Sequence, residues 1–251
     1  MSNNTAFALI TGACGGIGSA LVEVFNESGY RVIGTDRQRK DLVTSAAEFY
    51  LQLDLARLAG SAAYTEAACT EILELTQGSG ISALINNAAV QNLGKLDEIS
   101  RESWSETISV NLSAPLFLIQ GLAASLTENN GSVVNVSSIH ATQTKPGFLA
   151  YATSKGALSA MTRNLAVSLG DKVRINAIEP AAVGTPMLKE GFKNQAEKLE
   201  LLNSYHPLGR IAAPEEVAEL ALFLCSEKAS FIHGECISIS GGICSRLHDP
   251  E

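Results

Sequence analysis

Seven short runs of β-forming, mostly apolar residues recur along the chain: Phe7 to Thr11, Arg31 to Asp36, Phe49 to Asp54, Ala83 to Asn86, Ser132 to Val136, Val173 to Ile178 and Cys236 to Ile239. Between them lie stretches of helical length and periodicity, Gly18 to Ser28, Ala62 to Gln77, Arg101 to Ser125, Ala152 to Ser168 and Pro214 to Cys225. This alternation constrains the fold more than any other feature. Crossover helices force neighbouring strands parallel and cover both sheet faces, which is why the strand runs read as apolar throughout. The expected fold class is α/β, a doubly wound parallel sheet of about seven strands, with ligands at the carboxyl ends of the strands. The 251 residues contain no linker, repeat or biased tract, so one domain over 1–251 is expected. The least regular part, 181–208, holds Gly184, Pro186, Gly191 and Pro207 around two short helical pieces and reads as a substrate lid or as a plain surface insertion.

Composition removes several classes of function. Lys and Arg number 18 against 26 Asp and Glu, a formal charge of −8, and no dense basic run exists to meet a string of phosphates, so no nucleic-acid partner is expected. The five cysteines are scattered and never spaced C-x-x-C, which points to neither disulfides nor zinc and suits a reducing cytoplasm. No H-E-x-x-H spacing occurs, His206, His233 and His248 lie far apart in sequence, and no metal is expected. The N-terminus lacks a basic region, and the apolar stretch Ala6 to Ile10 is far shorter than the roughly 18 residues of a membrane span, so a soluble, unprocessed, cytoplasmic protein is expected with no membrane partner.

Directly after the first strand run comes Thr11-Gly12-Ala13-Cys14-Gly15-Gly16-Ile17-Gly18, and the helical pattern begins at once. Glycines permit a tight turn and close approach to a pyrophosphate, and the helix N-terminus supplies amides and a positive field. In a strand–turn–helix context this reads as a Rossmann-like dinucleotide site with Gly12, Cys14, Gly15, Gly16, Ile17 and Gly18 facing the cofactor, or else as a simple turn. Cys14 is read as a small filler or as an acidic thiol at a helix N-terminus. Asp36 ends the second strand run 18 residues past Gly18, where a carboxylate accepts hydrogen bonds from the adenosine ribose. It would repel the extra phosphate of NADP while the neighbouring Arg37 would attract it, so NAD is the expected cofactor, ahead of NADP.

Tyr151 and Lys155 open another expected helix, and their spacing of four puts phenol and ammonium on one face. A free tyrosine titrates near pH 10 and is a poor base at neutral pH unless its phenolate is stabilised. An ammonium about 4 Å away at an effective dielectric near 20 would supply about 4 kcal/mol, enough to bring the phenol near neutrality. Y-x-x-x-K alone is common by chance and is often only surface decoration. Its company matters: the fifth strand run leads into Ser138, and the loop from there to Tyr151 contains Pro146-Gly147, a turn that returns the chain so that both hydroxyls can hold one substrate oxygen.

Taken together, T-G-x-x-x-G-x-G at Thr11 to Gly18, Asp54 after the third strand run, Asn86-Asn87-Ala88, Asn111, Ser138, Tyr151, Lys155 and the Pro180 to Thr185 segment resemble the short-chain dehydrogenase/reductase family from Thr11 to Gly242. The resemblance implies a catalytic set of Asn111, Ser138, Tyr151 and Lys155. Tyr151 would exchange the hydroxyl proton, Ser138 would donate to the reacting oxygen, Lys155 would bond the nicotinamide ribose and lower the phenol pKa, and Asn111 would position a relay water. Asp54 and Leu55 would lie near adenine, Asn87 and Ala88 near the adenosine-side ribose, and Pro180 and Thr185 at the carboxamide. The sequence departs from the family pattern at Ala89 and Ala181, where glycines are usual, and in Ser238-Ile239-Ser240, where an acidic residue often precedes the two glycines.

For substrate, Gln91, Ser138, His140 and Tyr151 are the expected contacts, with Lys145 nearby; His140 reads equally as a structural histidine and Lys145 as merely exposed. A small polar secondary alcohol or its carbonyl is expected. The family resemblance also implies a homotetramer or homodimer through the long helices at Arg101 to Ser125 and Ala152 to Ser168. Two other readings stand beside an NAD-dependent oxidoreductase: an NADPH-dependent biosynthetic ketone reductase, and a dinucleotide-sensing protein without turnover.

Overall fold

The structure, a computed structural model, describes residues 6–39 and 45–247; His248 lies outside the described residues. The strands are β1 (Phe7–Thr11), β2 (Arg31–Asp36), β3 (Phe49–Gln52), β4 (Ala83–Asn86), β5 (Ser132–Val136), β6 (Arg174–Pro180) and β7 (Cys236–Ile239). They form one parallel sheet in the order β3-β2-β1-β4-β5-β6-β7. The order reverses between β1 and β4, and that switch point opens a crevice at the carboxyl ends of the strands. The helices are α1 (Gly16–Glu27), α2 (Leu55–Gly60), α3 (Ala62–Leu75), α4 (Arg101–Ile108), α5 (Ala114–Glu128), α6 (Leu149–Leu169), α7 (Pro186–Gly191), α8 (Ala196–Tyr205) and α9 (Pro214–Cys225).

Helices cover both faces, as the apolar strands require. Every residue of β1, β4 and β5 is buried. On one face Leu9, Leu84, Val133 and Ile175 pack with Ile72 of α3 and Leu118, Leu122 and Leu126 of α5. On the other, Ile10, Ile85, Val134 and Ile178 meet Leu21 and Phe25 of α1 and Val217, Ala221 and Leu224 of α9. Each such side chain contributes roughly 1.5–3 kcal/mol of burial, which is what holds the strand ends in fixed relation.

Several boundaries differ from the sequence reading, β6 running to Pro180 rather than Ile178 and α6 beginning at Leu149 rather than Ala152, and two differences bear on the site. The third strand stops at Gln52 rather than Asp54, because the Asp54 carboxylate accepts the Arg57 N–H at 3.0 Å and starts the short helix α2. The stretch from Arg101 is helical as expected, but a π turn at Ser109–Ser113 interrupts it. Pro115 follows that turn and has no N–H to return to the Asn111 carbonyl four residues back, so the α-helical ladder cannot continue through this point. Among the described residues, the run Arg101–Glu128 is the one helical run long and apolar enough to cross a bilayer, with a mean hydropathy of 1.4 in its most apolar window. Its inner face is core, with Leu118, Leu122 and Leu126 fully buried.

Candidate functional site

The glycine turn joins β1 to α1 with almost no side chain between them. Gly12 takes φ +66°, and a Cβ there would meet the Ala88 Cα at 2.8 Å. A Cβ on Gly18 would overlap the Gly12 carbonyl oxygen, so α1 lies directly against the turn. Gly15 is the N-cap of α1; no side chain caps the helix and its first turn carries no acid. The leading N–H groups and the helix dipole are therefore left for an anion, which fits the pyrophosphate of a dinucleotide. Ile17 packs against the core on the α1 side, and Gly16 begins the helix.

Residues from β2 and from the loop after β4 brace the same turn. Thr11 Oγ1 accepts the N–H groups of Asn87 and Ala88 at 3.0 and 3.1 Å, and Asn87 Nδ2 donates to the carbonyls of Thr11 and Gly12 at 2.9 and 3.2 Å. The Asn87 side chain is thus spent on shaping the turn. Asp36 leans over it: its carboxylate accepts the Cys14 N–H at 3.3 Å and the Gln38 N–H at 3.4 Å. Burial pushes the Cys14 thiol up, with Asp36 adding to the rise and a hydrogen bond with Tyr50 opposing it, which favours the small-filler reading over an acidic thiol. Arg37 is exposed, Asp54 caps α2, and Leu55 is buried as the first residue of that helix.

At the other end of the crevice, β5 delivers Ser138 and α6 delivers Tyr151 and Lys155. The Ser138 hydroxyl accepts the His140 N–H at 3.2 Å and also bonds the Tyr151 phenol. Lys155 is 2% exposed, and its Nζ donates to the Val136 carbonyl at 2.6 Å, 5.7 Å from the Tyr151 ring centroid. The expected grouping of the three side chains is present, but the expected direction of the acid–base coupling is not. Burial pushes the Tyr151 phenol up, with the Ser138 hydrogen bond opposing it, and burial drives the Lys155 ammonium down to about 7. Desolvation disfavours both charged forms, and the Lys155 amine is turned toward the carbonyl at the end of β5.

Asn111 sits in the π turn and is 1% exposed. Its side chain accepts the Val90 N–H at 2.8 Å and donates to the Val90 carbonyl at 2.9 Å and to Ser154 Oγ at 3.0 Å. That ties the loop after β4 to α6 one residue from Lys155. With the side chain engaged and Pro115 unable to donate, the main-chain carbonyl is the group through which Asn111 can hold a water.

The substrate side is aromatic. His140 stacks on Phe148 with ring centroids 4.3 Å apart and planes 3° apart, and meets the edge of Tyr151 at 5.8 Å. Lys145 Nζ lies 4.8 Å over the Phe148 ring, and Thr144 Oγ1 is 2.9 Å from His140 Nδ1. Burial, with Lys145 nearby, lowers the His140 pKa, so this ring is neutral near pH 7. Gln91 is exposed on the loop after β4, which is tied to the approach to α6 by the Gly94 N–H on the Gly147 carbonyl at 3.0 Å. Sequence does not single out Phe148; an aromatic beside Pro146-Gly147 reads better as packing than as a stacking surface.

Pro180 ends β6, and Thr185 caps α7 by accepting the Leu188 N–H at 3.2 Å. A Cβ on Gly16 would touch the Thr185 Cβ at 2.7 Å, so the start of the late excursion rests on the glycine turn. Val183 pairs with Ala212 at the base of the excursion, whereas α8 buries none of its residues. Among the described residues no group of three or more His, Cys, Asp or Glu is arranged to hold a metal ion.

A family model described as enoyl-(acyl carrier protein) reductase matches residues 12–244. Protein FixR of Bradyrhizobium diazoefficiens is 36% identical over 246 residues, covering 93% of this chain and 85% of its own. The ligand-free aldohexose dehydrogenase of Thermoplasma acidophilum has a TM-score of 0.90 at 28% identity, over 98% of this chain and 97% of its own. A 4-hydroxyisoleucine dehydrogenase complexed with NADH has a TM-score of 0.86 at 27% identity, over 97% and 100%.

Proposed function

The chain belongs to the short-chain dehydrogenase/reductase family, and from that premise we propose an NAD-preferring dehydrogenase of small polar secondary alcohols, or reductase of their ketones, with Tyr151 as the proton-exchanging group. At the coarser level it is an oxidoreductase of small substrates that uses a nicotinamide dinucleotide, NAD or NADP. When bound, the dinucleotide supplies the hydride donor or acceptor. The observation that carries the proposal is the crevice itself: an uncapped helix N-terminus under Asp36 at one end, and Ser138, Tyr151 and Lys155 at the other.

The residues divide the work. Amides from Gly16 to Gly18 hold the pyrophosphate, and Asp36 takes the ribose hydroxyls that NADP would replace in part by a phosphate. Asp54 and Leu55 border the adenine, Asn87 and Ala88 keep the turn closed beneath it, and Arg37 stands outside. Pro180 and Thr185 fix the carboxamide edge. Lys155 has three N–H donors and spends one on Val136, leaving two for the nicotinamide ribose. Tyr151 gives its proton to a ketone oxygen or takes it from an alcohol, and Ser138 donates to the same oxygen as negative charge develops. The Asn111 carbonyl holds the water that refills the relay. His140 and Phe148 form the wall against which a substrate bearing hydroxyl groups lies, and the 181–208 excursion closes over it as a lid. The outer faces of α5 and α6 carry the contact with a second copy, in a soluble homodimer or homotetramer.

Replacing Tyr151 by Phe tests the reading. Turnover should fall by about 10² to 10⁴-fold while NAD still binds; equal turnover would end it. A panel of polyols, sugars and hydroxy acids with NAD, read by absorbance of NADH, identifies the substrate class. Silence across the panel with NAD bound would favour a sensor without turnover.

A further inference from the structure

Two side chains of β3 grip the main chain just beyond Asp36, and the assigned function makes no use of either. Tyr50 and Gln52 project to the same side of the sheet, in register with Gly34 and Asp36 of β2. The Tyr50 hydroxyl donates to the Gln38 carbonyl at 2.7 Å and lies 3.7 Å from the Cys14 thiol, which donates to it. Gln52 Nε2 donates to the Arg37 carbonyl at 3.1 Å. Residue 34, in register with Tyr50, is glycine, and a Cβ there would lie 2.9 Å from the Cβ atoms of Ala13 and Ala47.

We propose that Tyr50 and Gln52 are positioning residues for cofactor choice, which select NAD by locking the turn at residues 36–38. The inference rests on the NAD reading above. Accepting a 2′-phosphate requires the Asp36 carboxylate to swing off the glycine turn, which breaks its bonds to the Cys14 and Gln38 amides, and the Arg37 guanidinium to swing in from a main chain whose carbonyls Tyr50 and Gln52 hold. The lock opposes each. Cys14 and Gln38 amides hold the two carboxylate oxygens, and Tyr50 and Gln52 hold the carbonyls of Gln38 and Arg37. Burial, with the thiol and Asp36 beside it, pushes the Tyr50 phenol up, so the hydroxyl stays a donor throughout the neutral range.

The test is to titrate the purified wild type, Tyr50→Phe and Gln52→Ala with NAD and with NADP, measuring both dissociation constants, together with inhibition by adenosine 2′-phosphate and adenosine 5′-phosphate. Tyr50→Phe should raise the NADP-to-NAD affinity ratio by about five- to tenfold, as expected for one lost hydrogen bond, with Gln52→Ala giving about threefold. The adenosine 2′-phosphate inhibition should strengthen in parallel. If Tyr50→Phe weakens both nucleotides equally, the ring is merely structural and the proposal falls; Gln52, being exposed, gives the same decision should Tyr50→Phe not fold. A wild type that binds NADP more tightly than NAD would instead defeat the reading of Asp36, whatever the variants do.

Discussion

The two ends of the crevice are built by different physics. At the end built on the glycine turn, backbone meets backbone: the turn, α1 and the loop after β4 approach so closely that there is no room for side chains between them, and the groups left open to an anion are amides. At the other end, Tyr151, Lys155 and Ser138 are side chains buried beside the end of β5, and their chemistry is set by how much water the surrounding helices exclude. The first end is sensitive to volume and the second to charge.

The largest effect should come from volume. Gly18→Ala places a methyl group on the Gly12 carbonyl, so α1 must move away from the turn, at a cost of about 3 kcal/mol or more. NAD affinity should drop by about a hundredfold or the variant should fail to fold. Calorimetric titration with thermal melts checks this, and normal binding would show that the turn is looser than its geometry.

The next effect comes from charge. Lys155→Met keeps the length of the side chain but removes the amine, and turnover should fall by about a hundredfold or more. The same variant should be more stable than wild type near pH 7, since a buried ammonium with a single carbonyl partner costs more than it returns. The folded pKa of Lys155, about 7, lies below the free value of 10.5, so the unfolded chain binds more protons between them and wild-type stability should rise with pH above 7. The Cys225 thiol, raised to about 12 by burial, adds the opposite slope above pH 9, so the window to measure is pH 7 to 9. There the difference between wild type and Lys155→Met should shrink steadily; a constant difference would mean that the amine is not desolvated as its burial indicates.

The smallest expected effect lies outside both ends. Glu216 reaches back to the Ala213 N–H at 2.8 Å and pairs with Arg210 at 2.7 Å, which together hold its carboxyl down to about 2. Glu216→Gln should cost about 1 kcal/mol or less, because the pair is exposed and only the capping bond is shielded. Its folded pKa lies below the usual value, so the contribution is present above pH 4.5 and is lost as pH falls toward 2, which acid melts of the two proteins would show.

The order of strands and helices was legible because apolar periodicity is a local property. So was the glycine turn, whose residues and ligand-facing helix lie within one short stretch, Thr11 to Gly18. The break in the helix at Asn111 had a local signal, Pro115, that the helical period of the surrounding residues outweighed. Phe148, Tyr50 and Gln52 carried no signal of their own, since each acts through residues brought beside it from another segment.

By itself, the sequence determined the parallel α/β sheet, the placement of a phosphate-seeking helix end after the first strand, and the four-residue spacing that puts Tyr151 and Lys155 on one face, all of which follow from short-range backbone geometry. The tertiary structure alone decided that the Lys155 amine turns to the Val136 carbonyl, that burial rather than attraction governs both pKa values, and that β3 clamps the turn beside Asp36. Desolvation sums surface contributed by every part of the chain, and no single stretch of residues contains that sum.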